Sequence, residues 1–174
     1  MNGSPDFSKI KALLLDSDGV LTDGGVYISA EGQQMRRFDI KDGLGLVRLQ
    51  SAGVRVAIIS ASPATPVLER AQTLGIEHAY VGEKDKVGRA KKLIDSWGLT
   101  FAETAFMGDD LTDLALLKLV AFPITVADAS KGIRTSQTIY YTTEAKGGFG
   151  AVREVCDLIL GTELTPNEAA PPSI

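Results

Sequence analysis

The sequence predicts an α/β fold built on a doubly wound parallel sheet. Short apolar runs alternate with segments of helical period along nearly the whole chain. Several runs are almost continuously apolar, as in Ala12-Leu13-Leu14-Leu15, which is typical of strands covered by helices on both faces. A helical segment separates most successive strands, so we expect a parallel sheet with right-handed crossovers.

The predicted elements follow one another in a regular order. Strands are predicted over Lys11–Ser17, Arg55–Ser60, Ala79–Gly82, Thr104–Gly108, Phe122–Ala127 and Thr138–Thr142. Helices are predicted over Gly43–Ala52, Pro63–Leu74, Lys84–Trp97, Leu111–Leu119 and Gly150–Leu160. Pro63 suits a first helical turn, and three glycines suit C-terminal caps: Gly53, Gly75 and Gly98.

One segment, at about residues 24–41, breaks this alternation. Val26–Ser29 and Gln33–Ile40 flank the turn Ala30-Glu31-Gly32, a pattern that predicts a β-hairpin. The hairpin falls between the first strand and the first helix, on the edge of the expected ligand site. Its exposed edges would invite pairing with another copy of the chain, and a plain surface hairpin is the alternative.

Length and composition limit the class of protein. The 174 residues fit one domain, over residues 1–160, followed by a proline-bearing tail over residues 161–174. We expect that tail to be flexible, with docking onto another subunit as the alternative. The net charge of −4 and the scattered basic residues lack the footprint of a nucleic-acid-binding protein. No run approaches the roughly 18 apolar residues of a membrane span.

We do not expect cysteine or histidine to be a catalytic residue in this chain. Cys156 is the only cysteine, which excludes an internal disulfide and fits a reducing, cytoplasmic location. It lies on an apolar helical face, and we expect it to pack in the core. His78 is the only histidine, and we expect it to be structural as well.

The stretch Asp16-Ser17-Asp18-Gly19 follows the first predicted strand directly. Two carboxylates one residue apart repel each other unless a cation lies between them. A glycine-containing turn at the end of a parallel strand is also where open α/β sheets bind their ligands. A divalent metal with a phosphorylated substrate would account for both features.

Other strand ends carry matching groups. Ser60 ends the second strand and Lys86 follows the third, while the fourth leads into three carboxylates: Asp109, Asp110 and Asp113. Because the carboxyl ends of parallel strands share one edge, we expect these groups to converge. Carboxylate and carbonyl oxygens suit Mg²⁺, and a hydroxyl with an amine suits phosphate. One carboxylate could attack phosphorus, and the second could transfer protons.

Each signal also has a structural explanation when taken alone. An isolated Asp-x-Asp pair is often a solvated turn, and the later acidic cluster could cap a helix. Ser60 and Lys86 are uninformative singly. Their order along the chain, each near a strand end, favours a catalytic site.

These residues resemble the four motifs of the haloacid dehalogenase superfamily of phosphohydrolases: Asp16-Ser17-Asp18-Gly19, Ser60, Lys86 and Gly108-Asp109-Asp110. The likeness extends to the branch without a large cap domain that includes the 3-deoxy-D-manno-octulosonate 8-phosphate phosphatases. It covers about Lys11 to Leu160, and four runs carry it: Phe38–Gly45, Glu69–Ile76, Asp85-Lys86 and Lys146–Leu160.

The resemblance implies a role for each motif residue. Asp16 would be the nucleophile and Asp18 the general acid and base. Mg²⁺ would be bound by Asp16, the backbone carbonyl of Asp18 and Asp109. Asp110 and Asp113 would support the site, and Asp113 would orient Lys86. Phosphate would be bound by Ser60, Ala61 and Lys86. The rest of the substrate would be bound by Asp42, Arg70 and Lys146. The resemblance also implies a homotetramer, in which the hairpins of the four chains join in a central barrel.

Two positions depart from the family pattern. Ser62 and Phe149 stand where the octulosonate enzymes usually carry arginine, whose bidentate fork suits a carboxylate. The substrate carboxylate would then be held differently, with Arg70 or Lys146 as candidates, or the substrate would differ.

The leading prediction is a Mg²⁺-dependent phosphatase acting on 3-deoxy-D-manno-octulosonate 8-phosphate. The nearest alternative is the same reaction on a nonulosonate 9-phosphate of the sialic-acid type. There are two remoter alternatives, a phosphoacceptor signalling domain and a non-catalytic oligomerising module. The order of Lys86 before Asp109 disfavours the signalling domain.

Overall fold

A computed structural model describes residues 6–161; the expected tail beyond Gly161 lies outside the described residues. The main sheet has six parallel strands in the order β5-β4-β1-β6-β7-β8. Their bounds are Ala12–Leu15 (β1), Arg55–Ile59 (β4), His78–Tyr80 (β5), Thr104–Met107 (β6), Phe122–Thr125 (β7) and Tyr141–Thr142 (β8). The predicted doubly wound α/β fold is confirmed.

Helices connect these strands. Their bounds are Ile40–Ser51 (α1), Pro66–Thr73 (α2), Lys86–Ser96 (α3), Leu114–Leu117 (α4), Lys131–Arg134 (α5) and Ala151–Leu160 (α6). The chain moves outward from β1 through β4 to β5, and then returns to β6 and β7 on the other side. Right-handed crossovers therefore place α1 and α2 on one face of the sheet and α3 and α4 on the other.

The core lies on both faces of the central strands. All four residues of β1 and all four of β6 are buried, which explains why seven of the eight are apolar, Thr104 being the exception. Cys156 is fully buried on α6, as predicted, and burial raises the pKa of its thiol. The ring of His78 packs edge-on against Trp97, at 5.4 Å between centroids, in the structural role that was expected.

Close packing of α1 against α6 depends on small residues and one carboxylate. A Cβ at Gly45 would lie 3.1 Å from the Cβ of Cys156, so the two helices approach closely there. Gly150, at the N-cap of α6, has no side chain that could accept a hydrogen bond from the first turn. Asp42 of α1 accepts one instead: the Arg153 amide donates to Asp42 Oδ1 over 2.8 Å. Asp42 thus acts across the helix pair as a cap.

The predicted hairpin is present and short. Its strands are Tyr27–Ile28 (β2) and Gln34–Met35 (β3), paired antiparallel around Gly32 at a positive φ of 81°. The second strand was expected to run to Ile40, but Asp39 accepts a hydrogen bond from the Lys41 amide and starts α1 there.

Two other helices also differ from the prediction. Helix α2 begins at Pro66 and not at Pro63, because Pro66 occupies the first helical position after Thr65. Helix α5 was not predicted, since its four residues are too few to show a period. Gly53, Gly75 and Gly98 do end helices at positive φ, as expected. Within residues 6–161 no helix is long and apolar enough to cross a membrane.

Candidate active site

The carboxyl ends of β1, β4 and β6 surround a cavity of about 300 Å³. It is lined by Asp16, Asp18, Gly19, Gly24, Ser60, Ala61, Ser62, Lys86, Asp109, Asp110 and Thr112. All four sequence motifs therefore meet in one place. Gly24 and Thr112 were not predicted, although Thr112 lies within the acidic run that was singled out.

The loop after β1 is held by the backbone. The Asp16 amide donates to the Met107 carbonyl over 2.9 Å, extending the pairing of β1 with β6 by one residue. The Ser17 carbonyl then accepts from the amides of Val20, Leu21 and Thr22. Gly19 has a φ of +82°, which only glycine adopts readily, and this turn carries Asp18 to the cavity.

Lys86 lies between two carboxylates at the floor of the cavity. Its Nζ is 2.9 Å from Asp16 Oδ1 and 2.6 Å from Asp113 Oδ1. Burial disfavours the charged amine, but the charges of Asp16 and Asp113 outweigh it, so the pKa of Lys86 is raised. Lys86 is therefore a fixed cation beside Asp16.

Asp113 is fully buried and has several partners. Besides Lys86, it accepts from the amides of Asp109 and Asp110 over 3.0 and 3.2 Å. These bonds fix the backbone where β6 passes into the following helical turn. Asp113 thus orients both the amine and the acidic loop.

The acidic cluster fits a divalent cation. Carboxylate oxygens of Asp16, Asp109 and Asp113 lie within 4.8 Å of one another. Burial, and then the charge of Asp113, raise the pKa of Asp16 to about 6. Burial, and then the charge of Asp16, raise the pKa of Asp109 to about 7. Asp113 is fully buried and already accepts from Lys86 and two backbone amides, whereas Asp16 and Asp109 line the cavity. Asp16 and Asp109 are therefore the side chains best placed to hold Mg²⁺.

The end of β4 supplies neutral donors. The Ser60 amide is bound to the Tyr80 carbonyl over 2.8 Å, and the Ser60 hydroxyl accepts from the Ser62 amide over 3.3 Å. The hydroxyl hydrogen is left to donate into the cavity. Ser60, Ala61, Ser62 and Lys86 all line the cavity, so an oxyanion there would meet both a hydroxyl and an amine.

Sequence reasoning missed one contact in the site. Arg36, at the end of β3, donates from Nε to Asp18 Oδ1 over 3.0 Å. The pair of arginines at 36 and 37 was the available signal, but neither the hairpin's length nor its direction could be read from the sequence.

The predicted substrate-binding residues do not line the cavity. Asp42 is 1% exposed, and its carboxylate is turned toward α6. Arg70 donates to the Asp39 carbonyl over 3.2 Å, against the start of α1. Lys146 is exposed beside the turn that precedes α6.

That turn packs directly on the nucleophile loop. A Cβ at Gly147 would collide with the Gly19 carbonyl, and one at Gly148 would collide with the backbone of Asp23. Phe149 is half exposed, and the Arg37 guanidinium lies over its ring at 4.3 Å from the centroid. The chain therefore has phenylalanine at position 149, and the Arg37 side chain covers it.

Several known proteins with similar sequences and structures are phosphatases. No family model matches the chain. The chain is 39% identical over 153 residues to the 3-deoxy-D-manno-octulosonate 8-phosphate phosphatase KdsC of Yersinia pestis, across 88% of this chain and 81% of that protein.

Two solved structures show the same likeness. The Moraxella catarrhalis 3-deoxy-D-manno-octulosonate 8-phosphate phosphatase, in complex with magnesium, phosphate and KDO, has a TM-score of 0.85 at 37% identity, over 90% of this chain and 88% of that one. The cobalt-bound deoxy-D-mannose-octulosonate 8-phosphate phosphatase of Haemophilus influenzae has a TM-score of 0.83 at 33% identity, over 90% and 91% of the two chains.

Proposed function

The chain belongs to the 3-deoxy-D-manno-octulosonate 8-phosphate phosphatase family of the haloacid dehalogenase superfamily, and we propose that it hydrolyses that sugar-acid phosphate. It is a Mg²⁺-dependent phosphatase. The observation that carries this function is the convergence of Asp16, Asp18, Ser60, Lys86 and Asp109 on one cavity.

Mg²⁺, held by Asp16, Asp109 and the Asp18 backbone carbonyl, would supply positive charge that offsets the repulsion between the nucleophile and the phosphate. Lys86 and Ser60, which line the same cavity, would bind phosphate oxygens. These groups orient the phosphorus toward Asp16. The contact with Lys86 fixes the Asp16 carboxylate before substrate arrives.

The first step transfers the phosphoryl group to Asp16. A carboxylate oxygen of Asp16 attacks phosphorus, and the bond from phosphorus to the sugar oxygen breaks. The leaving oxygen keeps the electron pair of the broken bond. It accepts a proton from Asp18, which also lines the cavity and follows Asp16 by two residues in the sequence.

The second step releases phosphate. Asp18, now a carboxylate, takes a proton from water, and the resulting hydroxide attacks the phosphorus of the aspartyl-phosphate. The bond from phosphorus to Asp16 breaks and restores the carboxylate. Asp18 has regained its proton, so the cycle is balanced.

The hairpin supports assembly into a tetramer. Four of its apolar side chains are about half exposed or more: Val26, Tyr27, Ile28 and Met35. Both of its strands are short, with unpaired outer edges within the described residues. Apolar side chains on open strand edges favour pairing with further copies of the hairpin.

Two further proposals concern the whole chain. Residues up to 160 would form a single domain, which the continuous core from Phe7 to Cys156 supports. A cytoplasmic location is supported by the one cysteine, which is buried and unpaired.

A comparison of substrates tests the proposed function. Steady-state hydrolysis of 3-deoxy-D-manno-octulosonate 8-phosphate and of a nonulosonate 9-phosphate would be measured with Mg²⁺, and then with the chelator EDTA. We expect a higher kcat/KM for the eight-carbon substrate and loss of both activities with EDTA. Preference for the nine-carbon substrate would assign the chain to the sister reaction, and hydrolysis of neither would refute the function.

A further inference from the structure

Arg36 contacts the proposed general acid from outside the catalytic loop. Its Nε lies 3.0 Å from Asp18 Oδ1, and only 3% of its side chain is exposed. Its terminal nitrogens reach back to β3, toward the Met35 carbonyl at 3.3 Å and Gln34 Oε1 at 3.4 Å. The guanidinium is therefore held by the hairpin strand while one edge faces Asp18.

The other catalytic carboxylate is fixed by a different residue. Asp16 is 7% exposed and paired with Lys86. The Asp18 side chain is 31% exposed, and within residues 6–161 its carboxylate is hydrogen-bonded by Arg36. Without that bond, the Asp18 side chain would be free to change rotamer toward solvent.

We propose that Arg36 is a positioning residue that holds the Asp18 carboxylate in the orientation needed for proton transfer. The proposal rests on the proposed function, because it assigns Asp18 the acid and base roles described above. When Asp18 gives its proton to the leaving oxygen, a negative charge develops on the carboxylate, and the Arg36 guanidinium is already in place to stabilise it.

This contact also connects the hairpin with the chemistry. Arg36 directly follows β3, whose Met35 is one of the exposed apolar residues. Hairpin displacement would therefore move the guanidinium away from Asp18. An element suited to assembly thus supplies one of the groups that prepares the general acid.

The test uses leaving groups that differ in their need for a proton. A sugar alkoxide is a poor leaving group and needs the proton of Asp18, whereas p-nitrophenolate leaves without one. In Arg36→Met we expect kcat for the sugar phosphate to fall by about 10²-fold, within the usual range for general acid catalysis, with little change in KM. With p-nitrophenyl phosphate, the rate of the first step should be nearly unchanged in this variant.

The second step still requires Asp18 as a base, so the aryl ester gives a further readout. Arg36→Met should release one p-nitrophenolate per active site in a burst, followed by slow turnover, because aspartyl-phosphate accumulates. Arg36→Lys keeps a cation and should recover part of the sugar phosphatase rate. Arg37→Met removes the neighbouring arginine, which contacts Gly148 and Phe149, and should leave the ratio of the two activities unchanged.

The outcomes separate the two claims. If the native enzyme is active and Arg36→Met lowers both esters equally without a burst, or changes neither, the positioning role is refuted and the proposed function stands. If the native enzyme hydrolyses neither ester, the proposed function fails and the role of Arg36 fails with it.

Discussion

Lys86 and Asp113 form a buried ion pair, with Lys86 Nζ 2.6 Å from Asp113 Oδ1 and the carboxylate of Asp113 inaccessible to solvent. The pair lies beneath the cavity, and the same amine contacts Asp16. Stability and catalysis therefore depend on one ammonium group, and mutagenesis can separate the two.

Replacement of Lys86 by Met would leave the Asp113 charge buried with only two amide donors. We expect Lys86→Met to lower the free energy of unfolding by about 3 kcal/mol, measured by urea denaturation. The double variant Lys86→Met/Asp113→Asn should regain most of that loss, because the stranded charge is gone, while phosphatase activity stays absent. Equal stability of the two variants would contradict the ion-pair account.

Replacement of Asp16 by Asn should abolish turnover and keep the fold. An amide is nearly isosteric with the carboxylate but cannot attack phosphorus, so we expect a fall in kcat of at least about 10³-fold. Circular dichroism would verify the fold, and mass spectrometry after acid quenching would find aspartyl-phosphate in the native enzyme alone. Asp95→Asn, at an exposed position on α3, is the matched control.

Mg²⁺ binding should depend on pH through Asp16 and Asp109. Their pKa values are raised to about 6 and about 7 in the metal-free protein, so both carboxyls are largely protonated in mild acid. A cation must displace those protons, and we expect affinity at about pH 5.5 to be at least about tenfold weaker than at about pH 8. Calorimetric titration in buffers of different ionisation enthalpy would also count the released protons. Equal affinity at both pH values would show that neither carboxyl loses a proton on binding.

Asp42 should make stability fall as pH rises through mild acid. Burial raises its pKa from 3.8 to about 6, so the folded protein binds this proton more tightly than the unfolded chain. Below about pH 4 both states are protonated. Between about pH 4 and pH 6 the unfolded chain ionises first, and the free energy of unfolding falls by up to about 3 kcal/mol.

The Asp42→Asn variant isolates this effect. Its free energy of unfolding, subtracted from that of the native protein at each pH, should show the decrease between about pH 4 and pH 6 and be flat above it. A difference that is flat across the whole range would show that the carboxyl of Asp42 titrates normally in the folded state.

The hairpin should govern assembly. A charge at Ile28, which is 66% exposed, would be buried between copies if the hairpins pair. We expect light scattering to give the mass of four chains for the native protein and a smaller assembly for Ile28→Asp. Leu119→Asp, at an exposed position outside the hairpin, should keep the native mass. A native protein that is monomeric would refute the tetramer.

The parallel sheet and the cavity could be predicted because their signals are local. Each central strand is an uninterrupted apolar run, and Asp16, Ser60 and Asp109 follow those runs at once. Parallel pairing then brings them to one edge without further information. The same locality explains the success with glycine caps.

Contacts between distant elements could not be predicted in this way. Asp42 lies in the first turn of α1, and nothing nearby in sequence shows that α6 starts with a glycine in need of a cap. The bond from Arg36 to Asp18 depends equally on the direction of a hairpin whose strands are only two residues long. The sequence offers two prolines that suit a first helical turn; the prediction used Pro63, whereas α2 begins at Pro66.

The close packing of Gly147 against the Gly19 carbonyl has a consequence for folding during synthesis. Asp16 is synthesised long before Gly147, so its loop acquires this supporting contact only when the turn before α6 has emerged. A nascent chain would thus carry all four motifs and still be inert until the turn before α6 is made.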